Sequence, residues 1–148
     1  MTLLQGIKLA LAIAPQGRDD AAFASNVLDK RDFDNAKGVA FVAAVGHIDA
    51  ANTGTVVKQS ASKSDATTLG GTPETVLDVT EPAAGDDDSL AVLAYVPMDK
   101  WTERYLQFQS TAGDGSQNTE LAVIAIADRI GEADGDAAAL GVGALDVA

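Results

Sequence analysis

His47 is the chain's single histidine, and it closes the most apolar stretch of the sequence, Gly38 to Ile48. An imidazole can exchange a proton near neutral pH, but hydrolytic chemistry built on it needs a nucleophile beside it and an acid to orient it. No cysteine occurs, and no Gly-x-Ser-x-Gly elbow raises a serine, so His47 reads as a strand-end imidazole. The same shortage argues against a transition-metal centre, which recruits two or more His or Cys. Carboxylates are the other chemical resource. Asp86-Asp87-Asp88 and Asp134-Gly135-Asp136 offer oxygens suited to Ca²⁺, yet neither repeats the alternating carboxylates and distant bidentate Glu of an EF-hand loop. With 22 acidic residues in the chain, such clusters read as solvated loops. Paired carboxylates for glycoside hydrolysis usually work beside exposed aromatics that hold sugar, and the chain has one Trp and two Tyr. Gly70-Gly71 and Gly113-Asp114-Gly115 are too short and too acidic to cradle phosphate, and read as turn glycines. The expectation is a protein that is not an enzyme and needs neither cofactor nor metal. A Ca²⁺- or glycan-binding module is the alternative from another class.

Charge narrows the partners. Ten basic residues stand against 22 acidic ones, a formal net of −12. Nucleic acid and anionic lipid are recognised by clustered Lys and Arg, and along this sequence the cations are scattered, with Lys30-Arg31 the sole adjacent pair. Neither nucleic acid nor membrane is therefore an expected partner. No run reaches the roughly 18 apolar residues of a spanning helix. Lys8 sits inside the N-terminal apolar stretch instead of ahead of it, unlike a secretory leader. Synthesis and folding in a reducing compartment is the expectation.

The elements that must position these residues are strands. Tyr105 to Gln109 and Leu121 to Ala127 alternate apolar and polar residues at period two and flank a loop of Gly, Asp, Ser and Asn, which predicts an antiparallel hairpin. Gly38 to Ile48 is nearly continuous in small and β-branched residues, the composition of a central strand covered on both faces. Further strands are predicted at Ala24 to Leu28, Thr55 to Lys63, Glu74 to Thr80 and Ser89 to Val96, the last ended by Pro97. Gly6 to Ala14 is apolar, ends at Pro15, and fits a strand, a short helix or an arm. Met98 to Glu103 predicts one helical or tight turn placing Trp101 over one end of the domain. Strands separated by turn signals, with almost no helical period, predict an all-β fold: a two-sheet antiparallel sandwich, jelly roll or alternatively immunoglobulin-like.

Three regions follow: residues 1–20 as an N-terminal arm or first strand, 21–130 as the sandwich, and 131–148 as a tail rich in Gly, Ala and Asp. With only 5 % aromatic residues, the core rests on Val, Leu, Ile and Ala, which favours completion by association and a homo-oligomer. The extended ends supply the apolar contacts expected between subunits: Leu3, Leu4 and Ile7 in front, and Leu140, Val142, Leu145 and Val147 behind. The tail is read as unfixed by itself, or extended along another chain.

The succession of an apolar strand (Gly38 to Val45), a Thr/Ser/Val strand (Thr55 to Ser62), Thr75-Val76-Leu77, a Leu/Val strand ending near Pro97, Arg104-Tyr105-Leu106-Gln107-Phe108, a Gly turn and a Val/Ile/Ala strand resembles the small jelly-roll cement, or head-decoration, proteins of tailed-bacteriophage capsids. The resemblance spans roughly residues 24–128, and its most specific element is the Arg-Tyr-Leu opening at Arg104, Tyr105 and Leu106, which carry over as structural matches. It implies a virion protein, made in the host cytoplasm and carried on the outer capsid surface. Its partner would be the major capsid protein, whose lattice it reinforces against genome pressure; another virion part, such as a tail or head-completion protein, is the structural alternative. The long acidic tail departs from that pattern.

Overall fold

The computed structural model describes residues 7–33, 36–85, 88–128 and 145–147. These form ten strands and one 3-10 turn, with no α-helix among them: β1 (Ile7–Arg18), β2 (Ala22–Ala24), β3 (Leu28–Asp29), the turn Lys30–Phe33, β4 (Gly38–His47), β5 (Thr53–Ser60), β6 (Glu74–Asp78), β7 (Ser89–Pro97), β8 (Tyr105–Thr111), β9 (Thr119–Asp128) and β10 (Leu145–Val147). They make a two-sheet sandwich. One sheet runs β1-β9-β4-β7-β10, the other β2-β8-β5-β6, with β3 also on β8. Every pairing is antiparallel except that of β10 with β7.

Large-against-small complementarity builds the core. On the inner face of β4, Phe41 lies between Ala125 of β9 and Ala94 of β7, and all three are fully buried. The two alanines leave room for the ring, which meets Phe108 of the facing sheet at a centroid distance of 5.8 Å. Val39, Val96, Val57 and Leu106 fill the same layer. At one end Trp101, fully buried within the turn after β7, tilts against Phe33 at 5.7 Å.

Several elements differ from the sequence expectation. Tyr105–Thr111 and Thr119–Asp128 are not a hairpin: β8 pairs with β2, β3 and β5, whereas β9 pairs with β1 and β4 in the opposite sheet. The Gly/Asp/Ser/Asn connection is an arch from sheet to sheet. Turn chemistry only reverses the chain; each strand takes the neighbours whose apolar face matches its own. β1 does not stop at Pro15 but continues to Arg18, with register shifts between Leu11 and Ile13 and between Ile13 and Gln16. A missing N–H is tolerated because β1 is an edge strand and the bulge takes up the misfit. The strand expected over Ala24 to Leu28 is split into β2 and β3 around Ser25. There the Ser25 amide donates to Phe108 O, and the Ser25 hydroxyl accepts from the Phe108 amide.

Candidate functional site

Two ends and two outer faces are left for function. At one end of the sandwich the connections β1–β2, β4–β5, β6–β7 and β8–β9 converge. They bring together Asp19, Asp20, Asp49, Glu81, Asp88, Asp114 and, at the start of β9, Glu120. Arg18 is the one cation among the described residues of that end, and its guanidinium lies over Phe23. Asp49 ties the loops together: it accepts from the amide and hydroxyl of Ser116 and from the Gln117 amide at 3.1 Å. The Ser116 hydroxyl bond, followed by its amide, holds the Asp49 carboxyl below the ordinary carboxylate range. Gly113 closes the arch so tightly that a Cβ there would stand 2.5 Å from Ala51 O. His47, at the end of β4, is partly buried in this region and in register with Glu120. Ser116 Oγ donates to the carboxylate rather than to an imidazole, so the His–Asp–Ser neighbourhood braces a loop and does not have the order of a nucleophilic triad.

Beneath this acidic end runs a chain of buried polar groups. Asn52 Nδ2 donates to Ser110 Oγ at 3.0 Å, Ser110 Oγ lies 2.8 Å from Thr55 Oγ1, and Thr55 bonds the Glu81 carboxylate through both its hydroxyl and its amide. Ending at the exposed Glu81, these bonds tie the β6–β7 connection to the sheet.

The opposite end is mixed in charge, with Glu74 and Asp128 among its carboxylates. Lys30, Arg31, Lys37, Lys63, Lys100 and Arg104, more than half of the ten cations, lie there beside Asp29, Asp32, Asp99 and Glu103. A cation scatter in sequence is thus a cluster in space. Arg104 at the head of β8 pairs with Asp29 at 2.8 Å and stacks over Tyr105 at 4.8 Å, while Lys63 approaches the same ring at 5.4 Å. The Arg104 hydrogen bond lowers the Asp29 carboxyl from its usual range. Leu106, next in line, is wholly in the core.

The outer faces also differ. Over β8, the outer face of the β2-β8-β5-β6 sheet is covered by the Lys63–Leu69 loop: the Nε2 of the buried Gln107 donates to Thr67 O at 2.6 Å and to Ser25 O at 2.8 Å. That of the β1-β9-β4-β7-β10 sheet shows a charge-free band in cross-strand register, Leu11 to Ile124 to Val42, with Ala40, Ala44, Ala122 and Ile126 around it. Leu11 is 55 % and Ile124 42 % exposed, the two large apolar side chains left open among the described residues. The band runs into a shallow groove between Pro15–Gly17, Ala44–Gly46 and Glu120–Ala122. Gly38, on this face, lies directly under the Tyr95 ring, which a Cβ would displace.

Of the residues expected to bind neighbours, Ile7 opens β1 opposite Asp128, and Leu145 and Val147 lie in β10 opposite Leu93 and Tyr95 of the same chain. Leu3, Leu4, Leu140 and Val142 lie outside the described residues, as do Asp86, Asp87, Asp134 and Asp136. Among the described residues no group of three or more His, Cys, Asp or Glu is placed to hold a metal ion, and no helix is long and apolar enough to cross a membrane. The sequence alone does not mark Asp49 or Gln107: between Leu106 and Phe108, Gln107 has the pattern of an ordinary solvent-facing position. No family model, curated protein or solved structure matches the chain.

Proposed function

We propose that this chain is a structural virion protein, a cement or head-decoration protein that attaches to the outside of a tailed-phage capsid and binds the major capsid protein lattice. The sandwich is then of jelly-roll type, and the protein is a homo-oligomer without catalytic chemistry. The observation that carries this reading is the polarity of the charge: carboxylates crowd one loop-locked end and most cations the other. A domain with unlike ends docks in one orientation. The mixed-charge end offers Lys and Arg to an acidic lattice surface, while the acidic end points outward and resists further stacking. The N-terminal residues Leu3, Leu4 and Ile7 supply apolar contacts to a neighbouring copy, and repeated copies on a shell gain from multivalency.

Heads from particles whose genome carries this gene, assembled without the protein, provide the test. Saturable co-sedimentation, with added density at fixed lattice positions in electron micrographs, is expected. Absence of saturable binding to those heads refutes the reading, and calorimetric binding of Ca²⁺ or a glycan without head binding replaces it with the ligand-module alternative.

A further inference from the structure

At the mixed-charge end, between the 3-10 turn and the β7–β8 connection, lies an open groove of about 400 Å³ lined by Lys30, Arg31, Thr102, Glu103 and Arg104. We propose that this groove binds a single carboxylate, the Asp or Glu side chain of a partner protein. The proposal deepens the attachment reading above and rests on it for the identity of the partner. The preference for a carboxylate rests on this chain's own residues.

The walls of the groove are held by their own neighbours. The Lys30 amide donates to Arg104 O at 2.8 Å, which ties the start of the turn to the head of β8. Lys30 Nζ donates to the carbonyl of the fully buried Trp101. Arg104 gives Nε and Nη2 to Asp29 at 3.2 and 2.8 Å and lies over the Tyr105 ring, so its guanidinium is fixed in place. On the other side stands Gln59, buried at the end of β5. Its Oε1 accepts from the Thr102 and Glu103 amides at 2.9 and 3.1 Å, and its Nε2 donates to Thr102 Oγ1 at 3.0 Å. Donors fixed in this way lose little freedom when a ligand arrives, which preserves affinity.

Hydrogen-bonding capacity remains after these bonds are made. Lys30 Nζ has further protons to give, Arg104 keeps Nη1, and Thr102 Oγ1, an acceptor toward Gln59, still has its own proton to donate. The exposed Arg31 is engaged through its amide, with Asp29 Oδ1, while its guanidinium forms no hydrogen bond or ion pair within the described residues. Planar guanidinium forks beside an ammonium and a hydroxyl suit an oxyanion. Charge then selects which one. Three cations against the carboxylates of Asp29 and Glu103 leave one net positive charge. A carboxylate neutralises it. A phosphate dianion would add surplus negative charge beside two acids, in a chain whose net charge is already −12.

The probe is the blocked tripeptide acetyl-Gly-Glu-Gly-amide, titrated into the full-length protein at pH 7 and followed by NMR. The matching Gln peptide and inorganic phosphate are the comparisons, and fluorescence of Trp101, the one tryptophan, checks that each variant is folded. Saturable shifts at Lys30, Arg31, Thr102 and Arg104 are expected with the Glu peptide. Both comparisons should bind about tenfold more weakly, and Arg31→Gln should weaken the Glu peptide by about the same factor. An equal response to the Gln peptide, shifts that do not saturate, or phosphate binding as tight as the Glu peptide would overturn the proposal. On heads assembled without the protein, Arg31→Glu should lower affinity about tenfold or more, and Lys58→Glu, the same change of charge on β5, less than about twofold. Head binding indifferent to Arg31→Glu would overturn the groove as the point of attachment. Peptide binding without head binding would sink the attachment reading and leave the carboxylate site standing, so the two fail separately.

Discussion

Asp49 does more for this domain than its exposed position suggests. Its bonds to Ser116 and Gln117 join the β4–β5 connection to the β8–β9 arch, although the two are 67 residues apart in sequence. Those bonds favour the charged carboxylate, so its folded pKa lies below its unfolded one. The sign follows: the stabilisation is complete above the unfolded carboxylate pKa of about 3.9 and disappears as pH falls through the lower folded value. Asp49→Asn should therefore unfold more readily than the parent at pH 7, and the gap should narrow toward pH 2. Urea midpoints measured from pH 7 to pH 2 test this; a gap that stays constant would mean that the carboxylate charge is irrelevant. Nothing in the sequence singles out Asp49 among 22 acids, because its partners arrive only when two distant loops meet.

At the scale of elements, strand identity was largely legible, and pairing was not. β4, β5, β6 and β7 stand close to where alternation, apolar runs and Pro97 place them. Period-two patterning is a local property, written in each strand's own residues. The hairpin expectation for β8 and β9 failed because a Gly-rich reversal serves a hairpin and an inter-sheet arch equally well. What separates the strands is the match across the sandwich, where Phe108 of β8 faces Phe41 of β4, itself seated between Ala94 and Ala125. The match is demanding. Phe108→Ala should cost about 3–5 kcal/mol in urea unfolding, since the flanking alanines cannot expand into the cavity. A loss below about 1 kcal/mol would show that the two sheets close up without the ring.

For the whole molecule, charge polarity is the property with the widest consequence. A net charge of −12 alone predicts diffuse self-repulsion. The fold concentrates it, setting Asp19, Asp20, Asp49, Glu81, Asp88 and Asp114 on four adjoining loops with Arg18 the cation beside them. Moderate salt should screen this end and raise the unfolding temperature. An increase of about 2–4 °C, equivalent to ~1 kcal/mol for a domain of this size, is expected between low salt and 0.5 M NaCl in calorimetry. An unchanged or falling midpoint would indicate that the loop hydrogen bonds already offset the repulsion.

The sequence by itself determined that this is a strand protein, strongly acidic, without thiol chemistry and with one imidazole. Those are matters of composition and short-range period, which need no partner to be read. Tertiary structure alone decided that β8 and β9 belong to different sheets, that scattered cations gather at one end, that Gln107 is sealed under a loop, and that one sheet face keeps an open apolar band. Each of these depends on contacts between residues far apart along the chain. Such contacts arise from complementary volume and charge when the two sheets close, and no local window of residues contains them.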